Sequence, residues 1–202
     1  MNTMKKKIAI INSKTDKRTV LAIALSNASH YQFLQNRNVY EWQRKFQIDD
    51  HQVYDFQNQF LILSSSFVKR IKSEFENESF ISCGAAFSEI ISLKSKLNCS
   101  SIDFYQPKEQ TMIESLLNVS GRYAADHYDL VIHVQNPDST GFDEYSDEFY
   151  RNHNIAYKTY QDDDLKNTLE DIFQQTEIPK TLSAESAIFE AEQLFNFKNW
   201  KS

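Results

Sequence analysis

The chain has 202 residues and a formal net charge of −6, enough for one domain, or one domain with a tail, and a full core. It has no long Lys/Arg block, which argues against a nucleic-acid partner. With no signal-peptide pattern and no stretch near the roughly 20 apolar residues that span a bilayer, it reads as a cytoplasmic protein without a membrane partner.

Lys7 to Ile11 is short, apolar and β-branched, and predicts a buried strand. Thr19 to Ser29 predicts a helix with Val20, Leu21, Ala24 and Leu25 inward. Residues 30–48 are polar and aromatic and read as mixed helix and loop. Asp49 and Asp50 can cap a long helix from about His51 to Glu76. Its Val53, Phe56, Phe60, Leu63, Phe67 and Ile71 recur in steps of three and four, one clean stripe.

Ser79 to Cys83 reads as a second short strand, followed by a helix near Ala86 to Leu97 with Phe87, Ile90 and Ile91 inward. Lys108 to His127 is a further helix, with Gly121 as a candidate break. Tyr128 to Val134 is the clearest strand in the chain. A loop, Asn136 to Asp143, and a short helix, Glu144 to Asn152, lead to a fourth strand, Ala156 to Tyr160. Asp162, Asp163 and Asp164 cap a helix through Gln174. Residues 181–200 form a last amphipathic helix, with Leu182, Phe189, Leu194 and Phe197 as its expected apolar side.

Strands alternate with helices, which predicts an α/β fold with a mainly parallel sheet between helical layers. No Gly-, Ser- or Pro-rich linker divides the chain. The expected organisation is a domain over 1–178 and a helical tail over 179–202.

The first strand feeds the first helix through NSKTDKRT, Asn12 to Thr19. That spacing fits the phosphate-binding pattern G-x-x-x-x-G-K-[ST]. Asn12 and Lys17 stand at the glycine positions, Arg18 at the lysine and Thr19 at the hydroxyl. Asn tolerates left-handed backbone angles better than Lys does. Arg keeps the positive charge but replaces a compact ammonium with a planar fork. Only Thr19 matches. The whole chain has three glycines, against an average usage of about 7%, so it is poorly equipped for tight phosphate loops.

Four segments together resemble the P-loop nucleoside and nucleotide kinase-like ATPases. The first is the strand, loop and helix from Ile8 to Ser26, and the second is the long helix and strand ending in FISCGAAFSEIISL, Phe80 to Leu93. The third is YDLVIHVQNP, Tyr128 to Pro137, and the fourth is IAYKTY, Ile155 to Tyr160, with its acidic helix. The resemblance implies a three-layer α/β/α P-loop NTPase-like fold, with the C-terminal helix as an extension. It also implies ATP and Mg²⁺ as cofactors, held at Asn12, Lys17, Arg18 and Thr19, if any cofactor is kept.

The same resemblance implies an acidic residue and an arginine just after the second strand, and arginines in a lid. At the strand end this chain has Ser82, Cys83 and Gly84, and the nearest carboxylate, Glu89, reads as an ordinary helix-surface acid. Between Val134 and Ala156 the sole arginine is Arg151. It follows the segment STGFDEYSDE, Ser139 to Glu148, whose acidity would repel phosphates. That segment reads as a shortened lid or a solvated acidic loop.

The remaining candidates are plain. His133 alternates with apolar residues and reads as a satisfied, semi-buried side chain; Cys83 and Cys99 lack metal or disulfide spacing and read as buried thiols. The tail carries Phe189, Phe195, Phe197 and Trp200, aromatics that serve as binding anchors or pack back on the domain. The expected function is that of a catalytically degenerate kinase-like protein, a structural or regulatory subunit. Its protein partner or oligomer contact would lie on the C-terminal aromatic helix. The alternative is a divergent ATP-dependent phosphotransferase acting on a nucleoside-like molecule, with Arg151 as its lid cation.

Overall fold

The computed structural model describes residues 5–11, 15–35, 39–52, 55–99, 106–136, 140–161 and 164–199. The central sheet is built from β1 (Lys7–Ile11), β2 (Gln32–Leu34), β3 (Phe80–Cys83), β4 (Leu130–Gln135) and β5 (Tyr157–Gln161). All four pairings are parallel, in the order β2-β3-β1-β4-β5. Parallel strands need long crossovers, and helices supply them. These are α1 (Thr15–Ser29), α2 (Val39–Lys45), α3 (Phe56–Phe75), α4 (Ser88–Cys99), α5 (Pro107–His127) and α6 (Thr140–His153), with α7 (Leu165–Gln175) and α8 (Ala184–Asn199) after β5.

Successive side chains of β1 point to opposite faces of the sheet. Ile8 and Ile10 join a core formed with α1, α7 and α8. Ala9 and Ile11 join a second core formed with α3, α4, α5 and α6. Such a three-layer sheet buries both faces, which is why its central strands read as continuous apolar runs. The sequence prediction of an α/β fold with a parallel sheet and a C-terminal helix describes this architecture.

Four local expectations need correction. The long helix expected from about His51 with Asp49 and Asp50 as caps begins at Phe56, with Asp55 at its N-cap. The stretch read as mixed helix and loop contains the fifth strand, β2, at the sheet edge. Three residues are too few to show a period of two. Gly121 does not break its helix: α5 runs through to His127, and the ring of His153 packs into the space a side chain would fill. Finally, α8 seats on α1 through Ala184, Ala187 and Ala191, all fully buried, with Ile188 and Phe195 alongside. Phe189 and Leu194, expected on the apolar side, are exposed. Small residues let the two backbones approach, so α1 is covered on its outer side too and Ala22 and Ile23 are buried with the predicted Val20, Leu21, Ala24 and Leu25. Val53, Asp162, Asp163 and Trp200, and the side chain of Phe197, lie outside the described residues.

The packing at Gly121 makes a direct prediction. A Cβ there would stand 2.3 Å from His153 Cδ2. Gly121→Ala is therefore expected to destabilise the fold by about 1–3 kcal/mol through overpacking, despite the better helix propensity of alanine. Urea denaturation measures it; a neutral or stabilising effect would contradict this packing.

Candidate functional site

In an open parallel sheet, ligands bind beyond the carboxyl ends of the strands, where neighbouring connections leave for opposite faces. Here that place is the crevice between β1 and β3. The chain leaves β1 into α1 on one face and leaves β3 into α4 on the other.

Two arginines converge on this point. Arg18, in the first turns of α1, is half-buried, and its Nε is buried with no hydrogen-bond partner among the described residues. Arg70, from α3, is buried. Both reach Gly84, the residue after β3. A Cβ built there would lie 3.4 Å from Arg70 Nη2, 3.4 Å from Ser88 Oγ and 3.7 Å from Arg18 Nη1. Gly84 also has φ +91°, a backbone region that disfavours any side chain.

Arg70 is committed to the protein itself. Its Nη1 donates to Ser82 Oγ at 2.5 Å and to the Gly84 carbonyl at 2.6 Å, and its Nη2 donates to the Cys83 carbonyl at 3.3 Å. One turn along α3, Glu74 Oε1 lies 3.5 Å from Nη1. Burial works against the guanidinium charge, but Glu89, followed by Tyr128, Glu74 and Cys83, more than offsets it, so the Arg70 pKa is raised.

Glu74 is fully buried and saturated with donors. Tyr123 Oη donates to it at 2.8 Å, Tyr128 Oη at 2.9 and 3.0 Å, and Ser82 Oγ at 3.4 Å. Tyr128 Oη in turn accepts from the Ala86 N–H at 2.9 Å. Burial pushes the Glu74 carboxyl up, partly countered by Arg70 and the hydroxyl donors. Burial, and then the Glu74 charge, likewise raise Tyr123 and Tyr128. The end of β3 is thus closed by an internal network of charges and hydroxyls.

The four residues matched to the phosphate loop fare differently. Thr19 is buried, with Oγ1 3.4 Å from Cys83 Sγ. Arg18 and Thr19 therefore both face the β3 end. Lys17 lies half-buried in the first turn of α1, and Asn12 is outside the described residues. Glu89, read as a surface acid, is half-buried in the first turn of α4 and acts on the charge of Arg70. It belongs to this cluster.

At the end of β4, His133 is fully buried rather than semi-buried. Its Nε2 lies 2.9 Å from Asp143 Oδ1, and Asp143 Oδ2 accepts from the Asn136 N–H at 3.1 Å. Asp147 Oδ1 stands 3.7 Å from the other ring nitrogen. The acidic segment after β4 is therefore no solvated loop in its described part. It forms the first turns of the 14-residue helix α6 and turns Asp143 inward onto the sheet. Arg151 occupies the last turn of α6, exposed, with Nε donating to the Asp147 carbonyl at 3.2 Å. A helix of this length runs about 20 Å, which carries Arg151 to the edge where β5 begins, away from the crevice.

Beside the Arg70–Glu74 network lies a small pocket of ≈ 140 Å³, lined by Leu34, Trp42, Lys69, Arg70, Glu74 and Ser82 among others. Pockets for drug-sized ligands run about 300–1,000 Å³. Among the described residues, no three His, Cys, Asp or Glu side chains group as a metal site.

No protein-family model matches the chain, and no curated protein matches it. A search of solved structures does find a similar one: a deoxyadenosine kinase from M. mycoides with bound dATP. It superposes with a TM-score of 0.62 at 18% identity, covering 84% of this chain and 98% of that one. The fold is P-loop kinase-like. The resemblance of the sequence segments therefore extends to the three-dimensional order of strands and helices.

Sequence reasoning missed Arg70, Glu74, Tyr123 and Tyr128. The signal was present in α3. Leu63, Phe67, Arg70 and Glu74 follow steps of four, three and four, so the two charges continue the buried stripe, and all four are buried.

Proposed function

We propose that this chain is a kinase-like protein whose phosphoryl-transfer site has become a structural charge cluster, and that it serves as a structural or regulatory subunit. The observation that carries this reading is the commitment of Arg70. Its guanidinium is occupied by Ser82, Cys83, Gly84 and Glu74 at the strand end where a kinase would hold groups for its substrate. Glu74, the carboxylate in contact with Arg70, is buried and saturated with donors.

Mg·ATP fits the cluster poorly. The hydroxyl that would hold the metal, Thr19 Oγ1, lies against the Cys83 sulfur. The sequence lacks the glycines and lysine that cradle phosphates. Exposed Phe189 and Leu194 on α8 support a protein contact there.

One observation favours the second reading, a divergent phosphotransferase. Arg18 Nε is buried without a partner among the described residues, and a phosphate oxygen would satisfy it. In that reading Arg18 contacts phosphate, Thr19 holds the metal and Glu89 is the carboxylate beside them. Titration with Mg·ATP followed by a product assay separates the readings. The first expects no phosphorylated product. Turnover that disappears in Arg18→Ala or Thr19→Ala would overturn it.

A further inference from the structure

The carboxyl end of β4 holds a second polar cluster, built against α6. Asp143, Asp147 and Tyr150 follow one another by four and three residues, so they share one face of that helix. His133 and Tyr150 are fully buried, and their rings meet at right angles at 5.6 Å. Three polar atoms of the cluster are buried with no hydrogen-bond partner among the described residues: His133 Nδ1, Asp147 Oδ1 and Tyr150 Oη. Burial holds the Tyr150 pKa well above its usual value, the Ser146 hydroxyl lowers it in part, and the Asp147 and Asp143 charges raise it further. The Tyr150 hydroxyl therefore feels both carboxylates.

The chemistry of each atom says what it requires. An ionised carboxylate only accepts, so the 2.9 Å contact between His133 Nε2 and Asp143 Oδ1 places the ring proton on Nε2. The neutral ring then turns one acceptor, Nδ1, toward another, Asp147 Oδ1, at 3.7 Å. Two facing acceptors require a shared donor, and the Tyr150 hydroxyl requires an acceptor. Buried polar groups left without such partners are costly.

One water molecule meets all three requirements. Its hydrogens serve Nδ1 and Oδ1, and its oxygen accepts from Tyr150. A water about 2.8 Å from both acceptors would see them at an angle of about 80°, open enough for two bent hydrogen bonds. Buried waters typically make about three hydrogen bonds to groups of this kind. A metal ion does not suit the cluster, since no three His, Cys, Asp or Glu side chains group as a metal site among the described residues.

We propose that an ordered water binds between β4 and α6, held by His133 Nδ1, Asp147 Oδ1 and Tyr150 Oη. It completes a hydrogen-bonded chain. On one side, His133 passes to Asp143 and the Asn136 N–H. On the other, Asp147 Oδ2 accepts from Gln135 Nε2 at 3.4 Å, and Gln135 Oε1 accepts from Gln161 Nε2 at 3.1 Å. The chain fastens α6 to the carboxyl ends of β4 and β5. The inference stands on the fold and is independent of whether the site transfers phosphate.

A crystal structure, together with NMR of the His133 ring nitrogens at about pH 8, above the ordinary imidazole range, tests it. The expected result is one water peak at hydrogen-bond distance from all three atoms, with a proton on Nε2 and none on Nδ1. A ring protonated on both nitrogens with Asp147 closed onto Nδ1, or a dry site, would overturn the proposal. Asp147→Asn sets an amide N–H donor against Nδ1 while its carbonyl oxygen keeps Gln135, so the water peak should be lost; a peak that persists unchanged would contradict the assignment. Tyr150→Phe removes a hydroxyl that the water satisfies and should lower the melting temperature by about 2–4 °C. A buried hydroxyl without a partner is better removed, so a higher melting temperature would also overturn the proposal.

Discussion

Replacing Arg70 by Met is expected to destabilise the fold by about 3–5 kcal/mol, and Glu74→Gln by a similar amount. Each change removes one charge of a buried pair and strands the other. Met fills much of the volume of the arginine stem, so the loss would reflect charge and hydrogen bonding rather than a cavity. Without Arg70, the Ser82 hydroxyl and the Cys83 and Gly84 carbonyls lose their donor, and the fully buried Glu74 loses the cation that counters the burial of its carboxyl. Gln at 74 still accepts from Tyr123 and Tyr128, so Glu74→Gln isolates the charge itself.

The double variant is the informative one. With both charges gone, Arg70→Met/Glu74→Gln should cost less than the two single losses together, by about 0.5–3 kcal/mol of coupling. Guanidinium denaturation of the four proteins gives the cycle. Additive losses would mean that the two side chains act separately and that Arg70 is held mainly by the strand-end carbonyls.

Asp143→Ala is expected to cost about 2–6 kcal/mol, because it leaves two buried groups without a partner at about 1–3 kcal/mol each. One is His133 Nε2 and the other is the Asn136 N–H. The same carboxylate joins β4 to the start of α6, so the variant should also free that helix end. Hydrogen exchange at the first turns of α6 should quicken while the amides of β1 and β3 stay protected. A wild-type melting curve would show that the acidic segment contributes nothing to anchoring α6.

These two clusters explain what the sequence hid. Strands β1, β3 and β4 were legible because each is a short, nearly continuous apolar run, as central parallel strands must be. β2 was not, since three residues at a sheet edge carry no period. On α3, an eye for apolar residues chose Ile71 and passed over Arg70 and Glu74, although these two lie in phase with Leu63 and Phe67. Buried charge follows the same periodicity as buried hydrocarbon, but only the folded chain shows which polar groups meet it.

The α8 misreading had a different cause. Large side chains suggested the contact face, whereas close approach to α1 selected alanines, leaving Phe189 and Leu194 outward. At the crevice, Arg18 and Thr19 were legible from their spacing to the first strand. Their surroundings were not, because Arg70 and Glu89 reach the β3 end from other helices, one of them fourteen positions before Gly84 and the other five after it.

The most direct test of the central claim is product formation by the purified chain. Mg·ATP and deoxyadenosine, the nucleoside named for the structurally similar kinase, are incubated with stoichiometric protein, and the monophosphate and ADP are quantified over hours. A converted site predicts no product above a protein-free control. Monophosphate formed by the wild type and lost in Arg18→Ala would contradict it, and would place this chain among working phosphotransferases.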